Sequence, residues 1–234
     1  MSPEVIADGI ENLPGRLAAL FEGEFRHAAA RGRFTVALPG GSVADVFFPH
    51  LARLPLDWGR VSFFWGDARA VPPTHPDSNY AAAKARWLDP AGVPASSVFR
   101  MPADAPDLER AAADYEAVLL QQCGSPPRLD LALLGVGPDG HVCSLFNGHP
   151  LLEEDARWVA AIDDSPKPPP RRLTLTLPTL AAARLVVVAA TGAAKAAVVK
   201  AAQEQPESQL PLALVTRSAE RVVFLLDLAA AGRE

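Results

Sequence analysis

The chain has 234 residues, of which 49% are hydrophobic and 21% are charged, and its formal net charge is −5. This composition excludes a disordered chain and is typical of a globular protein large enough to bury a core. The negative charge argues against a nucleic-acid partner or an anionic membrane surface, although a local group of Arg and Lys can still bind a small anion.

Apolar runs predict strands along the chain, and apolar residues at helical spacing predict helices between them. The predicted strands span 34–38, 61–65, 97–101, 129–134, 158–162, 172–177, 185–190 and 222–226. The predicted helices span 13–30, 43–54, 80–88, 107–122, 178–183 and 193–203. Strand and helix alternate with no internal repeat and no linker. The pattern therefore predicts one α/β domain over residues 1–234, with a single, mostly parallel sheet covered by helices on both faces.

The first predicted strand runs into the turn Pro39-Gly40-Gly41-Ser42. We place Ser42 at a helix N-cap, where free N–H groups and the positive end of the helix dipole favour an anion. Arg69 and Lys195 each follow a later strand. Because the carboxyl ends of parallel strands meet at one edge of a sheet, we expect these residues to lie close together. Phosphate is the ligand that best explains a cation in the first turn of a helix, as Lys195 is predicted to be. Arg172, at the start of a strand, is a further candidate.

The segment 129–150 reads LDLALLGVGPDGHVCSLFNGHP and places Asp139 and His141 in a glycine-rich loop after an apolar run. The loop matches the dinucleotide fingerprint G-x-G-x-x-G, but Pro138 removes a backbone donor and no long helix follows, so we disfavour nucleotide binding. A carboxylate two residues from an imidazole can fix its orientation and tautomer and keep its pKa in the working range. We therefore interpret His141 as the general base of a hydrolase.

Three other interpretations of this loop are weaker. A loop histidine can simply cap a backbone group. Cys143 is flanked by apolar residues, which favours a packed small residue over a thiol nucleophile. His141, Cys143 and His149 lack the spacing of a recognised metal site, so we expect no metal.

Two features favour a cytoplasmic location. No apolar run approaches the roughly 20 residues that a membrane-spanning helix needs, and the first residues lack the order of a signal peptide. Cys123 and Cys143 do not make a disulfide framework, which fits a reducing compartment. We expect no membrane partner, and a monomer is compatible with these features.

Four segments resemble the 6-phosphogluconolactonase family, within the wider sugar-phosphate isomerase and deaminase superfamily, and the resemblance spans nearly the whole chain. The segments are FTVALPGGS, WGDARAVPPTHPDSNY, LLGVGPDGHVCSLFNGHP and RLTLTLPTLAAARLVVVAATGAAK. The third is the most specific, because GPDGH is followed by SLF and GHP. The resemblance implies a Rossmann-like fold, no metal or organic cofactor, and hydrolysis of 6-phospho-D-glucono-1,5-lactone to 6-phospho-D-gluconate in the oxidative pentose phosphate pathway.

The same resemblance makes His141 the base that activates water and Asp139 its neighbour. It implies substrate and phosphate contacts from Gly40, Gly41, Ser42, Asp67, Arg69, Arg172 and Lys195. Two departures are visible: the family usually shows Asp-Glu-Arg where this chain has Asp67-Ala68-Arg69, and Ser-Thr-Pro where it has Ser42-Val43-Ala44.

A lactone carbonyl is already electrophilic, so we expect attack by water without a covalent intermediate, with backbone N–H groups of the 137–141 loop as candidate oxyanion donors. A sugar-phosphate isomerase or deaminase is an alternative on the same scaffold. It needs an additional carboxylate for proton transfer between C1 and C2, and the absent Glu disfavours it. A non-catalytic sugar-phosphate-sensing domain is a second alternative, disfavoured by the intact Asp139 and His141.

Overall fold

The structure is a computed structural model that describes residues 3–233. Within that range the strands form two sheets. The larger sheet has six strands, all parallel, in the spatial order β1 (Glu4–Asp8), β9 (Val222–Asp227), β8 (Val186–Ala190), β5 (Leu131–Leu134), β2 (Phe34–Leu38) and β3 (Val61–Trp65). The smaller sheet is antiparallel, in the order β4 (Asp67–Arg69), β7 (Arg172–Leu175) and β6 (Val159–Ile162).

Helices connect the parallel strands and cover the larger sheet. They are α1 (Leu13–Ala29), α2 (Ser42–Leu51), α3 (Asn79–Ala83), α4 (Leu108–Cys123), α5 (Leu177–Ala181), α6 (Ala196–Glu204) and α7 (Pro211–Ser218). Parallel crossovers are right-handed, so connections that run in opposite directions along the sheet place their helices on opposite faces. The connections through α1 and α2 run towards β3, whereas those through α5, α6 and α7 run towards β1. In agreement, α1 packs on α2, and α7 packs on α5 and α6.

The strand interiors explain why simple apolar runs predict this sheet. Every residue of β2, β3 and β8 is buried. A parallel sheet covered on both faces needs apolar side chains on both sides of each strand, which gives continuous runs rather than alternation. No helix in the described part of the chain has the length and apolar character needed to cross a bilayer.

The predicted fold class, a mostly parallel α/β sheet with helices on both faces, is confirmed, and three details need correction. The strands near 160 and 173 leave the parallel sheet and pair with β4 in the antiparallel sheet. The segment 97–101 is not a strand, because only Val98 forms a bridge with Phe63. Strand β1 and helix α7 were not predicted.

Backbone groups on the outer edge of β3 form hydrogen bonds with residues outside the sheet. Phe99 N–H donates to the carbonyl of Phe63 at 2.9 Å. The hydroxyl of Tyr115, on α4, accepts from Trp65 N–H at 3.1 Å and donates to the carbonyl of Phe99 at 3.0 Å. Burial raises the pKa of Tyr115 far above its ordinary value, so the hydroxyl keeps its proton. One buried hydroxyl therefore satisfies two backbone groups at the edge of the sheet.

We predict that Tyr115→Phe lowers the free energy of unfolding by about 1–3 kcal/mol, because it leaves a buried N–H and a partly buried carbonyl without this partner. Urea unfolding followed by circular dichroism measures the change. Tyr80→Phe is the matched control: it removes the same atom from a hydroxyl that makes no hydrogen bond within residues 3–233, and it should change stability by less than about 0.5 kcal/mol. Equal losses in the two variants would contradict the assignment.

Candidate active site

A cleft of about 240 Å³ opens at the edge where the parallel strands end. The loops after β2, β5 and β8 form its walls, and the paired strands β4 and β7 close one side. Eight of the nine residues that the sequence places in a site line this cleft: Gly40, Gly41, Ser42, Asp67, Arg69, His141, Arg172 and Lys195. The ninth, Asp139, contacts one of them directly.

His141 and Asp139 form a hydrogen-bonded pair. The imidazole Nδ1 lies 2.6 Å from Asp139 Oδ1, and the imidazole ring packs against the ring of Phe146 with centroids 5.0 Å apart. Bonding at Nδ1 directs Nε2 away from the carboxylate, so Nε2 is the nitrogen available to exchange a proton. The arrangement is that of a general base oriented by a carboxylate.

The loop that carries this pair is closed on itself. Gly137 N–H donates to the carbonyl of His141, and Gly140 N–H donates to the carbonyl of Gly137, both at 2.9 Å. A Cβ at Gly137 would lie 2.0 Å from His141 Nδ1, so only glycine allows the imidazole to fold over this position. These bonds narrow the set of candidate oxyanion donors in the 137–141 loop. The N–H groups of Gly137 and Gly140 are engaged by carbonyls and that of Asp139 by its own carboxylate, which leaves the N–H of His141.

Lys167 completes the surroundings of the pair, and the sequence analysis did not identify it. Its Nζ lies 2.9 Å from Asp139 Oδ2 and 3.1 Å from His141 Nδ1. Burial of the imidazole lowers the pKa of His141, Asp139 opposes this shift, and the charge of Lys167 adds to it. Partial burial would raise the pKa of Asp139, but the hydrogen bonds from His141 and Lys167 outweigh it and lower that pKa well below its ordinary value. His141 is therefore neutral, and Asp139 charged, at neutral pH.

The turn after β2 presents backbone N–H groups to the cleft. Gly41 has φ +64°, a left-handed conformation that favours glycine, and it is the N-cap of α2. The sequence placed Ser42 at this N-cap; the structure corrects this, since Ser42 is the first residue of the helix. The carbonyl of Gly41 accepts from Ala44 N–H at 3.0 Å, while the N–H groups of Ser42 and Val43 have no intrahelical acceptor. These groups, at the positive end of a ten-residue helix, form a site for an anion.

Two cations line the same cleft as this anion site, Arg69 from β4 and Lys195 from the turn before α6. The ammonium of Lys195 forms no hydrogen bond or ion pair within residues 3–233. It ends a 3-10 turn (Ala193–Lys195) as the N-cap of α6, rather than lying in the first turn of the helix as predicted. Burial, and then the charge of Lys167, lower the pKa of Lys195. Arg69 donates from Nη1 to the carbonyl of Asp77 at 2.9 Å, and its buried Nε has no partner in the described chain.

The register of the small sheet explains why Arg172 reaches the cleft although it begins a strand. β4 and β7 are antiparallel, with Arg69 opposite Arg172. The guanidinium of Arg172 is engaged by backbone carbonyls, since Nη2 donates to Lys167 at 2.8 Å and Nε donates to Pro169 at 3.0 Å. This geometry fits a side chain that holds the 163–170 loop, and a phosphate contact by Arg172 stays a prediction.

Asp67 is the centre of a buried polar group beneath the cleft. Asn79 Nδ2 donates to Asp67 Oδ1 at 2.9 Å, and Ser144 Oγ donates to Asp67 Oδ2 at 2.7 Å. Asn79 also lines the cleft, and no pattern in the sequence identified it. Asp67 therefore ties β4 to the start of α3, and each of its oxygens accepts a hydrogen bond.

The structure also bears on the weaker interpretations. Burial raises the pKa of the Cys143 thiol well above its ordinary value, which disfavours a thiolate nucleophile. His149 lies away from the cleft lining and bonds Asp164 Oδ1 at 3.0 Å. Among the described residues, no group of three or more His, Cys, Asp or Glu side chains is arranged to hold a metal ion.

With this geometry in hand, comparison with known proteins identifies the family. The model described as glucosamine-6-phosphate isomerases/6-phosphogluconolactonase matches residues 10–224. The chain belongs to this family. The 6-phosphogluconolactonase of Rattus norvegicus is 42% identical over 98% of this chain and 90% of its own length. The 6-phosphogluconolactonase of Homo sapiens is 44% identical over 87% of this chain and 82% of its own.

A solved structure agrees with the fold described above. The 6-phosphogluconolactonase of Trypanosoma brucei superposes with a TM-score of 0.87 at 28% sequence identity, covering 99% of this chain and 98% of that one. The 6-phosphogluconolactonase family, suggested by the four sequence segments, is thus shown by sequence and by fold.

We predict that Asp139→Asn lowers the pKa of His141 further below the ordinary histidine value of about 6.5, because a neutral amide no longer stabilises the imidazolium. NMR titration of the His141 ring protons measures this directly. Asp164→Asn is the control, since it removes the carboxylate beside a different histidine, His149. An unchanged or raised pKa of His141 in Asp139→Asn would contradict the proposed electrostatic role of Asp139.

Proposed function

We propose that this protein hydrolyses 6-phospho-D-glucono-1,5-lactone to 6-phospho-D-gluconate, a step of the oxidative pentose phosphate pathway. The observation that carries the proposal is that one cleft holds both the Asp139–His141 pair and an anion site formed by the N-terminus of α2 with Lys195. A phosphorylated lactone needs these two features together. Relatives that bear the name 6-phosphogluconolactonase support the same substrate.

The phosphate is proposed to bind at the anion site, where Gly40, Gly41 and Ser42 supply the turn and Arg69 and Lys195 supply charge. Lys195 supports this role because it is a partly buried cation whose ammonium forms no ion pair in the described chain. Binding far from the reacting carbon orients the substrate, so binding energy at the phosphate contributes to turnover.

His141 is proposed to act at C1 through Nε2. The neutral imidazole takes a proton from water as the water oxygen attacks the carbonyl carbon, and the C=O electron pair moves to oxygen. The tetrahedral intermediate then expels the ring oxygen, which takes the proton back from the imidazolium. General acid–base catalysis of this kind contributes on the order of 10²–10⁴-fold to a rate. The backbone N–H of His141 is the candidate donor to the oxyanion.

One feature of the cleft favours hydrolysis over the isomerase or deaminase alternative. Proton transfer between C1 and C2 requires a carboxylate that can reach the substrate. Among the described residues that line the cleft, Asp67 is the only carboxylate; it is buried, and each of its oxygens already accepts a hydrogen bond, one from Asn79 and one from Ser144. Asp139 reaches the cleft only through His141.

We also propose that residues 1–234 act as one domain and that the protein works in the cytoplasm. The family match over residues 10–224 supports the first proposal. The cysteine content, which provides no disulfide framework, supports the second.

We predict that His141→Ala folds normally and loses at least about 100-fold in kcat on the lactone, because the general base is gone. Initial rates in a pH-stat, corrected for spontaneous hydrolysis, measure the loss. His27→Ala, on the exposed side of α1, is the control. Near-normal hydrolysis by His141→Ala would refute the assignment of the base, and ammonia release from glucosamine 6-phosphate by the wild type would favour the deaminase.

We predict that Lys195→Met lowers kcat/KM on the phosphorylated lactone by about 100-fold, through loss of a charge-assisted contact that also orients the substrate. The same variant should hydrolyse unphosphorylated glucono-1,5-lactone as the wild type does, because that substrate has no phosphate to hold. Lys200→Met, in the exposed part of α6, controls for loss of a lysine. Equal losses of kcat/KM on the two lactones would contradict a phosphate contact by Lys195.

A further inference from the structure

Lys167 lies 26 residues along the chain from His141 and reaches the same proton-transfer centre. Its ammonium contacts both members of the pair, at 2.9 Å from Asp139 Oδ2 and 3.1 Å from His141 Nδ1. The side chain is about 38% exposed, so it remains accessible to solvent while it contacts the pair.

The loop that carries Lys167 is fixed by its own hydrogen bonds. Ser165 N–H donates to the carbonyl of Pro170 at 3.1 Å and closes the loop, and Ser165 Oγ donates to the carbonyl of Lys167 at 2.9 Å. The buried guanidinium of Arg172 donates to the carbonyls of Lys167, Pro168 and Pro169. The backbone at Lys167 is therefore held by the side chains of Arg172, on β7, and of Ser165, within the loop, so the ammonium extends from a backbone fixed by hydrogen bonds.

Of the two contacts of the ammonium, only the one with Asp139 is a hydrogen bond. Nδ1 cannot donate to Asp139 and accept from Lys167 at the same time. The 2.6 Å separation from Asp139 Oδ1 marks Nδ1 as the donor to the carboxylate. The ammonium is then bonded to Asp139 Oδ2, and its approach to Nδ1 is a contact between like charges whenever His141 is protonated.

We propose that Lys167 is a positioning residue for the hydrolysis: it holds the Asp139 carboxylate on His141 Nδ1 and places a positive charge beside the imidazole. The carboxylate fixes the ring, and the ammonium favours the form in which Nε2 is free to accept a proton from water. After that proton has moved, the same charge favours its return to the departing ring oxygen. This inference deepens the proposed function and rests on it.

Other charged groups also face this centre and must be included in any pH profile. Asp67, on β4, acts on His141 in the opposite sense to Lys167. Lys195 acts on the centre from the anion site, through its interactions with Lys167 and Asp139. Arg172 lies over the ring of Phe146, which packs against His141, with the guanidinium carbon 5.6 Å from the centroid of that ring. Of these groups, only Lys167 contacts both Asp139 and His141.

The experiment compares Lys167→Met, Lys167→Arg and the control Lys200→Met in the full chain. NMR titration of the unliganded protein measures the pKa of His141 and needs no enzymatic activity. We expect Lys167→Met to raise that pKa by about one unit, because a neighbouring positive charge is removed, and Lys167→Arg to stay near the wild type. The acid limb of kcat/KM should move upward by the same amount, and kcat should fall about tenfold as the pair loses its fixed geometry.

The outcomes separate this inference from the proposed function. If the wild type does not hydrolyse the lactone, the proposed function fails, and the NMR shift still reports whether Lys167 acts on His141. If Lys167→Met leaves the pKa of His141 within about 0.2 units of the wild type, the proposal is overturned. A rise in KM alone, with the pKa and kcat unchanged, would also overturn it, because Lys167 would then be a substrate contact.

Discussion

The hydrogen bond between Asp139 and His141 depends on a tight backbone loop in which position 137 has no space for a side chain. The loop turns back so that Gly137 N–H meets the carbonyl of His141, which brings the imidazole over the Gly137 Cα. The loop leaves β5, a central strand bounded by β8 and β2, so its starting point is fixed by hydrogen bonds on both sides. The sheet thus fixes where the loop that carries the pair begins, and Gly137 leaves the space that the imidazole needs.

The positive charges of the cleft and the Asp139–His141 pair lie at two separate sites. At the anion site, the positive end of α2 and Lys195 concentrate positive charge in a chain whose net charge is −5. At the other site, Asp139 keeps a negative charge against an imidazole that burial makes neutral. A substrate with a phosphate at one end and a lactone carbonyl at the other matches this separation. Attraction then operates on the end that does not react, and the base remains unprotonated.

The sequence predicts the parts of this structure that depend on local pattern. Buried parallel strands are continuous apolar runs, and their ends meet at one edge, so Gly41, Arg69 and Lys195 could be grouped before any coordinates. The small sheet was not predicted because β4 has three residues and no apolar run. In addition, β4 pairs with β7, which lies far along the chain, and no local pattern indicates that pairing. Lys167 and Asn79 were missed for the same reason. Asn79 reaches the cleft from the start of α3, and Lys167 reaches the Asp139–His141 pair from a loop, and in both cases distant contacts set the path of the chain. No spacing in the sequence links either residue to His141.

The departure at Ala68 shows how the structure changes an argument taken from sequence. The absent Glu was counted against an isomerase or deaminase, on the assumption that position 68 faces the substrate. Successive side chains of a strand point to opposite sides, and in β4 it is Asp67 and Arg69 that line the cleft, while Ala68 packs on the other side against the core. Position 68 therefore does not discriminate between the reactions by contact with substrate. The distinction rests on the two carboxylates near the cleft. Asp67, which lines it, is buried and accepts a hydrogen bond at each oxygen, and Asp139 is paired with His141.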